Sequence, residues 1–184
     1  MQNSSAEVDT RKLPGLGLLQ KLIQIASLIK RFPNLFRAPI IRQMKRVIMR
    51  PNWDSIWMDF AETISKRSYD PQFQVGCCIV TEDNCQVLAV GYNGNHKGGP
   101  NKRESEVPGH SGFIHAEINA LIKLDYNNPK NKKMYLTLSP CRMCAKAIIN
   151  GGIKAVYYSK QYRDSSGIEL LKQNGVEVVH LRDN

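Results

Sequence analysis

The sequence predicts an α/β domain, built on a mixed five-stranded sheet covered by helices and preceded by a basic helical extension. Three observations lead to it. From Trp53 onward, short apolar strand patterns alternate with amphipathic helix patterns. The first two strand patterns are joined by a short polar turn, the mark of a hairpin. The last two are separated by a helix pattern, which calls for a parallel crossover. The third observation is charge. The 184 residues carry a net +10, but residues 1–52 hold ten Lys/Arg against Glu7 and Asp9, and residues 53–184 are nearly balanced. This compositional step, beside Pro51, places a domain border between residues 1–52 and residues 53–184.

Taken in order, Leu18, Leu19, Leu22, Ile25, Leu28 and Ile29 form one apolar helical face between Pro14-Gly15 and Pro33. A second short helix is expected from Pro39 to Met49. These faces suit packing on the core or on another subunit. Their ten cations also suit an anionic membrane surface or nucleic acid. Ser55–Lys66 reads as a helix, Val75–Val80 and Gln86–Tyr92 as the hairpin strands, and Gly94–Gly112 as a long loop. His115–Leu124 reads as a helix, Met134–Leu138 as a strand, and Cys141–Asn150 as a helix ended by Gly151-Gly152. Ile153–Tyr158 is a strand, Ser166–Gln173 a helix and Val176–His180 the last strand, after a crossover of about 17 residues.

Composition bounds the function. Apolar residues with glycine make up about half of the chain, as in globular proteins. A chain of this length buries roughly 70% of its unfolded surface and needs no disulfide framework. Five cysteines, two of them adjacent, argue against a secreted one, and no apolar run reaches a membrane-spanning length. A cytoplasmic protein is the expectation.

The chemistry lies in two motifs. His115-Ala116-Glu117 opens a helix after the glycine-rich loop, and Pro140-Cys141-Arg142-Met143-Cys144 opens another after a strand. Cysteines at i and i+3 on a first helical turn point the same way, as two thiolates on one zinc require. The helix start favours the thiolate form. With His115 as third ligand, the fourth tetrahedral position stays open for water, the arrangement of a catalytic zinc. Glu117, two residues from the histidine, suits a general base better than a fourth ligand. A fully structural site would need a further Cys or His, from His96, His110, Cys77, Cys78 or Cys85, and would leave Glu117 idle. Both motifs together in a chain of this length arise by chance on the order of once in a thousand. H-x-E followed by P-C-x-x-C is the signature of zinc deaminases.

From Trp53 to Val179 the chain resembles the deoxycytidylate deaminase branch of the cytidine deaminase superfamily. The resemblance rests on HAEINAL at 115–121, TLSPCRMCAKAIINGGI at 137–153, GYNG at 91–94 and VG at 75–76. It implies a three-layer α/β/α cytidine deaminase-like fold, Zn2+ on His115, Cys141 and Cys144, and proton transfer by Glu117. It further implies a hydrogen bond between Asn93 and the deoxyribose, base and phosphate contacts from nearby loops, and a homo-oligomer. Ala116, Ser139 and Tyr162 are the remaining candidate substrate contacts, with the Ser139 carbonyl placed to accept from the substrate's amino group. The expected reaction is hydrolysis of dCMP to dUMP and ammonia. In that reaction Glu117 takes a proton from the water and delivers it to N3 of the pyrimidine. The same carboxyl then carries a proton to the leaving amine, a double duty that favours a raised pKa in a dry pocket.

Other readings stay open at this stage. Within the same chemistry these are a free nucleoside, dCTP or another small amino-heterocycle, and tRNA or single-stranded DNA. From another class comes a zinc-binding scaffold without turnover. Tyr157, Tyr158, Lys160 and Arg163 suit a single phosphate as well as they suit core tyrosines and solvated charges. Cys77 and Cys78 read as buried neighbours on opposite sheet faces, and His180 as structural. His96 and His110 read as exposed loop residues.

Overall fold

The computed structural model describes Ile23, Ser27, residues 50–107 and residues 109–181. Ile23 and Ser27 are helical and exposed. The rest of the expected N-terminal helices lies outside the described residues, and so does the nature of residues 1–49 as an extension. Residues Pro51–Asn184 group as one compact unit.

The first helix, α1 (Trp53–Ser65), starts where Asn52 caps it, its side-chain oxygen accepting from the Ser55 N–H at 2.7 Å. Strands β1 (Gly76–Thr81) and β2 (Val87–Tyr92) form the expected antiparallel hairpin. Helix α2 (Ala116–Leu121) is shorter than the expected His115–Leu124. Its last bonded turn tightens, with Lys123 and Leu124 donating to carbonyls three residues back, and the chain then leaves the helix. Strand β3 (Lys132–Leu138), helix α3 (Arg142–Asn150), strand β4 (Ile153–Lys160), helix α4 (Ser166–Gln173) and strand β5 (Glu177–His180) complete the domain.

The five strands run in the order β2-β1-β3-β4-β5. β1 pairs antiparallel with both β2 and β3, whereas β3–β4 and β4–β5 are parallel, so the sheet is mixed. Alternation along β1 divides its side chains between two layers. Cys77 and Ile79 join Ala116, Ala120, Ile148 and Leu171 beneath α2, α3 and α4. Cys78 and Val80 join Met58 and Ala61 beneath α1. Both cysteines are fully buried on opposite faces. Helices on both faces make the three α/β/α layers.

Two polar contacts fix α1 on its face. The Tyr135 hydroxyl of β3 donates to Asp54 at 2.6 Å, and Trp57 Nε1 donates to Asn84 in the hairpin turn at 3.0 Å. His180 stacks on Tyr158 and lies 2.8 Å from the Ser159 carbonyl, the structural role expected of it. Among the described residues no helix is long and apolar enough to cross a membrane.

Closeness of α2 to the sheet depends on a missing side chain. A Cβ at Gly91 would collide with the Ala116 carbonyl and lie 2.6 Å from the Ala120 nitrogen. Gly91→Ala therefore forces a backbone shift, and the expected cost is roughly 1–3 kcal/mol of stability, read as a lower urea midpoint. An unchanged midpoint would show that α2 has room to retreat from β2.

Candidate active site

Two helix starts meet at one edge of the sheet. β2 ends at Tyr92 and β3 at Leu138, and β1 begins between them, with Gly76 paired to Tyr92 and Cys77 to Leu136. His115 is the N-cap of α2 and Cys141 the N-cap of α3, both in extended backbone conformation. Neither uses its side chain to cap its helix, so the imidazole and the sulfur remain available. Asn119 ties α2 to the strand end by donating to the Tyr92 carbonyl at 2.9 Å. The Pro140-Cys141 segment is seated against α4, where a Cβ at Gly167 would collide with the Pro140 carbonyl and lie 2.9 Å from the Cys141 carbonyl carbon. Nothing in the motif spacing points to Gly167.

His115, Cys141 and Cys144 converge, their ligand atoms all within 4.8 Å of one another. His115 Nδ1 lies 3.3 Å from Cys144 Sγ and 3.6 Å from Cys141 Sγ. A tetrahedral zinc with bonds of about 2.3 Å to sulfur and about 2.1 Å to nitrogen sets its sulfur–nitrogen edges near ~3.5 Å. The three donors thus fit zinc in chemistry and spacing. Among the described residues this is the one such group, and His96, His110, Cys77, Cys78 and Cys85 take no part in it.

The same geometry orders the protons. Hydrogen bonds from Cys144 and from His115 pull the Cys141 thiol down to about 4. Cys144, hydrogen-bonded to Cys141 and desolvated by burial, moves the other way. The bond to Cys141 raises the His115 imidazole above its ordinary value. Glu117 is 4% exposed, and burial holds its carboxyl above the usual carboxylate range. The raised value expected of a shuttle is therefore present.

A cavity of about 190 Å³ opens onto these groups. Asn93, Ala116, Ser139 and Tyr162 all line it beside His115, Glu117 and Cys141. Tyr162 is held by its backbone N–H donating to Ser139 Oγ at 2.8 Å, and the Arg163 guanidinium lies over its ring. Other candidates lie elsewhere. Tyr157 packs beneath α1 and Tyr158 in the core under the opposite helices, because β4 alternates between both buried faces. Lys160 faces a neighbouring depression, and His96 and His110 are exposed outside the cavity.

Two lining residues carry no motif signal. Asp70, in the connector between α1 and β1, accepts from Gln72 N–H at 2.9 Å, from Arg103 Nη1 at 2.8 Å and from Asn93 Nδ2 at 3.3 Å. Arg103 belongs to the charged loop between β2 and α2, and its side chain is 4% exposed. Asn93 is pinned on every side: Nδ2 also donates to the Phe73 carbonyl at 2.8 Å, and Oδ1 accepts from Val75 N–H at 2.8 Å. With both donors committed, Asn93 meets a ligand as an acceptor through Oδ1. The loop's two ends are joined by a bridge, Gly94 and Ile114 exchanging backbone hydrogen bonds at 3.1 and 2.9 Å.

The sulfur chemistry is testable without substrate. The thiolate is the reactive form, present above the thiol's pKa and lost as pH falls through it. In metal-depleted protein carrying Cys85→Ser, iodoacetamide should label Cys141 at a nearly constant thiolate fraction down to about pH 5 and spare Cys144. Mass mapping across pH checks this; labelling that falls steadily below about pH 8 would mark Cys141 as an ordinary thiol.

Comparison with known proteins agrees with this geometry. The family model described as "Cytidine and deoxycytidylate deaminase zinc-binding region" matches residues 51–160. Human deoxycytidylate deaminase is 37% identical over 125 residues, 61% of this chain and 68% of its own length. The Saccharomyces cerevisiae enzyme is 35% identical over 143 residues, 71% of this chain and 45% of its own. The crystal structure of dCMP deaminase from the cyanophage S-TIM5, in complex with dCMP and dUMP, superposes with a TM-score of 0.60 at 33% identity. That match covers 73% of this chain and 99% of the phage enzyme. The convergent donors, the buried carboxyl and the matched span together make the chain a member of the cytidine and deoxycytidylate deaminases, a zinc-binding family of deaminating hydrolases.

Proposed function

We propose that the chain converts dCMP to dUMP and ammonia, with zinc held by His115, Cys141 and Cys144. The observation that carries this reading is a desolvated carboxyl, Glu117, in one cavity with a zinc-competent His/Cys/Cys group. The dCMP- and dUMP-bound phage relative, matched over nearly its whole length, supports the substrate.

Zinc, when bound, supplies a Lewis acid that makes water nucleophilic at neutral pH. Everything else falls to the chain's own groups. Glu117 Oε takes one proton from the water and gives it to N3 as the water's oxygen bonds to C4; it then carries the remaining proton of that oxygen to the amino group, which leaves as ammonia when the C4–N bond breaks. Its buried position keeps bulk water from competing for that proton. The Ser139 carbonyl accepts from the exocyclic amine and so orients it. The Ala116 N–H, in the first turn of α2, points a helix-start donor at the base's carbonyl. Asn93 Oδ1 accepts from a deoxyribose hydroxyl, the role left by its committed donors. Tyr162, on the cavity wall, contacts the substrate.

The organisation of the whole chain belongs to the same proposal. Residues 53–184 form the deaminase domain, acting in the cytoplasm with unpaired thiols, and the domain assembles as a homo-oligomer. Residues 1–52, with ten cations against two acids, contact an anionic membrane or nucleic acid.

Three outcomes are expected. Cys144→Ser loses zinc and turnover together, since a neutral hydroxyl replaces a thiolate, whereas Glu117→Ala keeps about one zinc per chain and loses turnover by about three orders of magnitude or more. Metal analysis beside an ammonia-release screen on cytosine, deoxycytidine, dCMP, dCTP and adenosine reads both. Zinc loss in Glu117→Ala would make that residue a ligand and overturn its role. Finally, a chain starting at Pro51 still binds zinc and deaminates, while the full chain alone binds anionic vesicles or nucleic acid at low salt. A folded, zinc-loaded but inactive truncation would show that the extension completes the site.

A further inference from the structure

Among the described residues lining the active-site cavity, Arg103 is the one lysine or arginine. The chemistry at C4 gives it no task. It sits in a loop whose neighbours Lys102, Glu104, Glu106 and Val107 are exposed, yet its own side chain is 4% exposed. A guanidinium is not desolvated this far without fixed partners. Nη1 donates to Asp70 at 2.8 Å, Nε donates to the Ser105 carbonyl at 3.1 Å, and Nε also faces the exposed Glu106 carboxylate at 3.7 Å. These contacts fix the plane of the guanidinium and use two of its five N–H donors. Asp70 is itself saturated, since Gln72, Phe73 and Asn93 donate to it as well. Its charge is therefore spread over several donors, and Arg103 retains attraction for a second anion. A rigid fork with donors to spare is the geometry that binds phosphate oxygens in pairs.

We infer that Arg103 is the specificity-determining residue that makes this site prefer a 5′-phosphorylated pyrimidine nucleotide to the free nucleoside, with Asp70 as its positioning partner. The assignment rests on the reading of the cavity as a cytosine-nucleotide site and adds the residue that reads the phosphate. Because Asp70 also holds Asn93, the same carboxylate sets the hydroxyl reader and the phosphate reader in one frame.

The test is a ratio, because a structural role lowers both substrates alike. The preference of kcat/KM for dCMP over deoxycytidine should fall by about 100-fold in Arg103→Met, mostly through KM for dCMP. Arg103→Lys should recover part of it, keeping the charge but losing the fork. Since Arg103→Met leaves Asp70 buried and unpaired, Asp70→Asn/Arg103→Met serves as the second variant, without the stranded charge, and should show the same collapse. Calorimetric titration with dUMP and with deoxyuridine repeats the comparison without turnover. A folded variant that keeps the wild-type ratio, or wild-type protein that binds dUMP no better than deoxyuridine, would overturn the assignment. Wild-type protein inactive on every cytosine nucleoside and nucleotide would overturn the reading of the site instead, while the dUMP-to-deoxyuridine ratio still decides Arg103.

Discussion

The close seating of α2 on β2 and of α4 on the Pro140-Cys141 segment is the constraint on which the rest of this structure depends. Both contacts are backbone against backbone, possible because Gly91 and Gly167 present no side chain. They bring the starts of α2 and α3 to the same sheet edge, where β1 begins and β2 and β3 end. A metal site built from one residue before one helix and two on another tolerates little slack, since edges of about 3.5 Å leave no room for a displaced turn. Rigidity here comes from the sheet, and the ligands inherit it.

The second requirement is electrostatic. Glu117 must be dry enough to hold a proton more tightly than an exposed carboxyl does and close enough to the sulfurs to share their field, and burial to 4% at the first turn of α2 meets both conditions. Part of the cavity wall is held by side chains that are themselves firmly hydrogen-bonded. Asn93 and Asp70 are bonded from several directions, and among the described residues no buried side-chain nitrogen or oxygen is left without a partner. A wall in that condition does not relax when a ligand enters.

The fold was legible where chemistry is local. Short apolar runs marked each strand, and His115, Glu117, Cys141 and Cys144 announced themselves by spacing, because a metal ligand set on helix starts leaves a short-range trace. Boundaries were less visible. α2 ends at Leu121, short of Leu124, because the last turn tightens, which no residue between 121 and 124 advertises. Tyr157 and Tyr158 read equally as phosphate contacts and as core tyrosines, and the core reading holds because both faces of β4 are covered. Asp70 and Arg103 stayed hidden for a different reason: they are 33 positions apart and meet only after the sheet has formed. Pairs of that kind belong to topology, and pattern reading along one chain does not reach them.

The Gly94–Ile114 bridge gives the long loop a property of its own. It closes the loop at its base, so the chain between these residues is bounded by a fixed doorway whose far post precedes His115. Content can change inside that doorway without moving the catalytic ligands. The loop is in that sense an exchangeable cassette: a different sequence between the posts would replace what Arg103 presents to the cavity, while the posts keep the start of α2 in place.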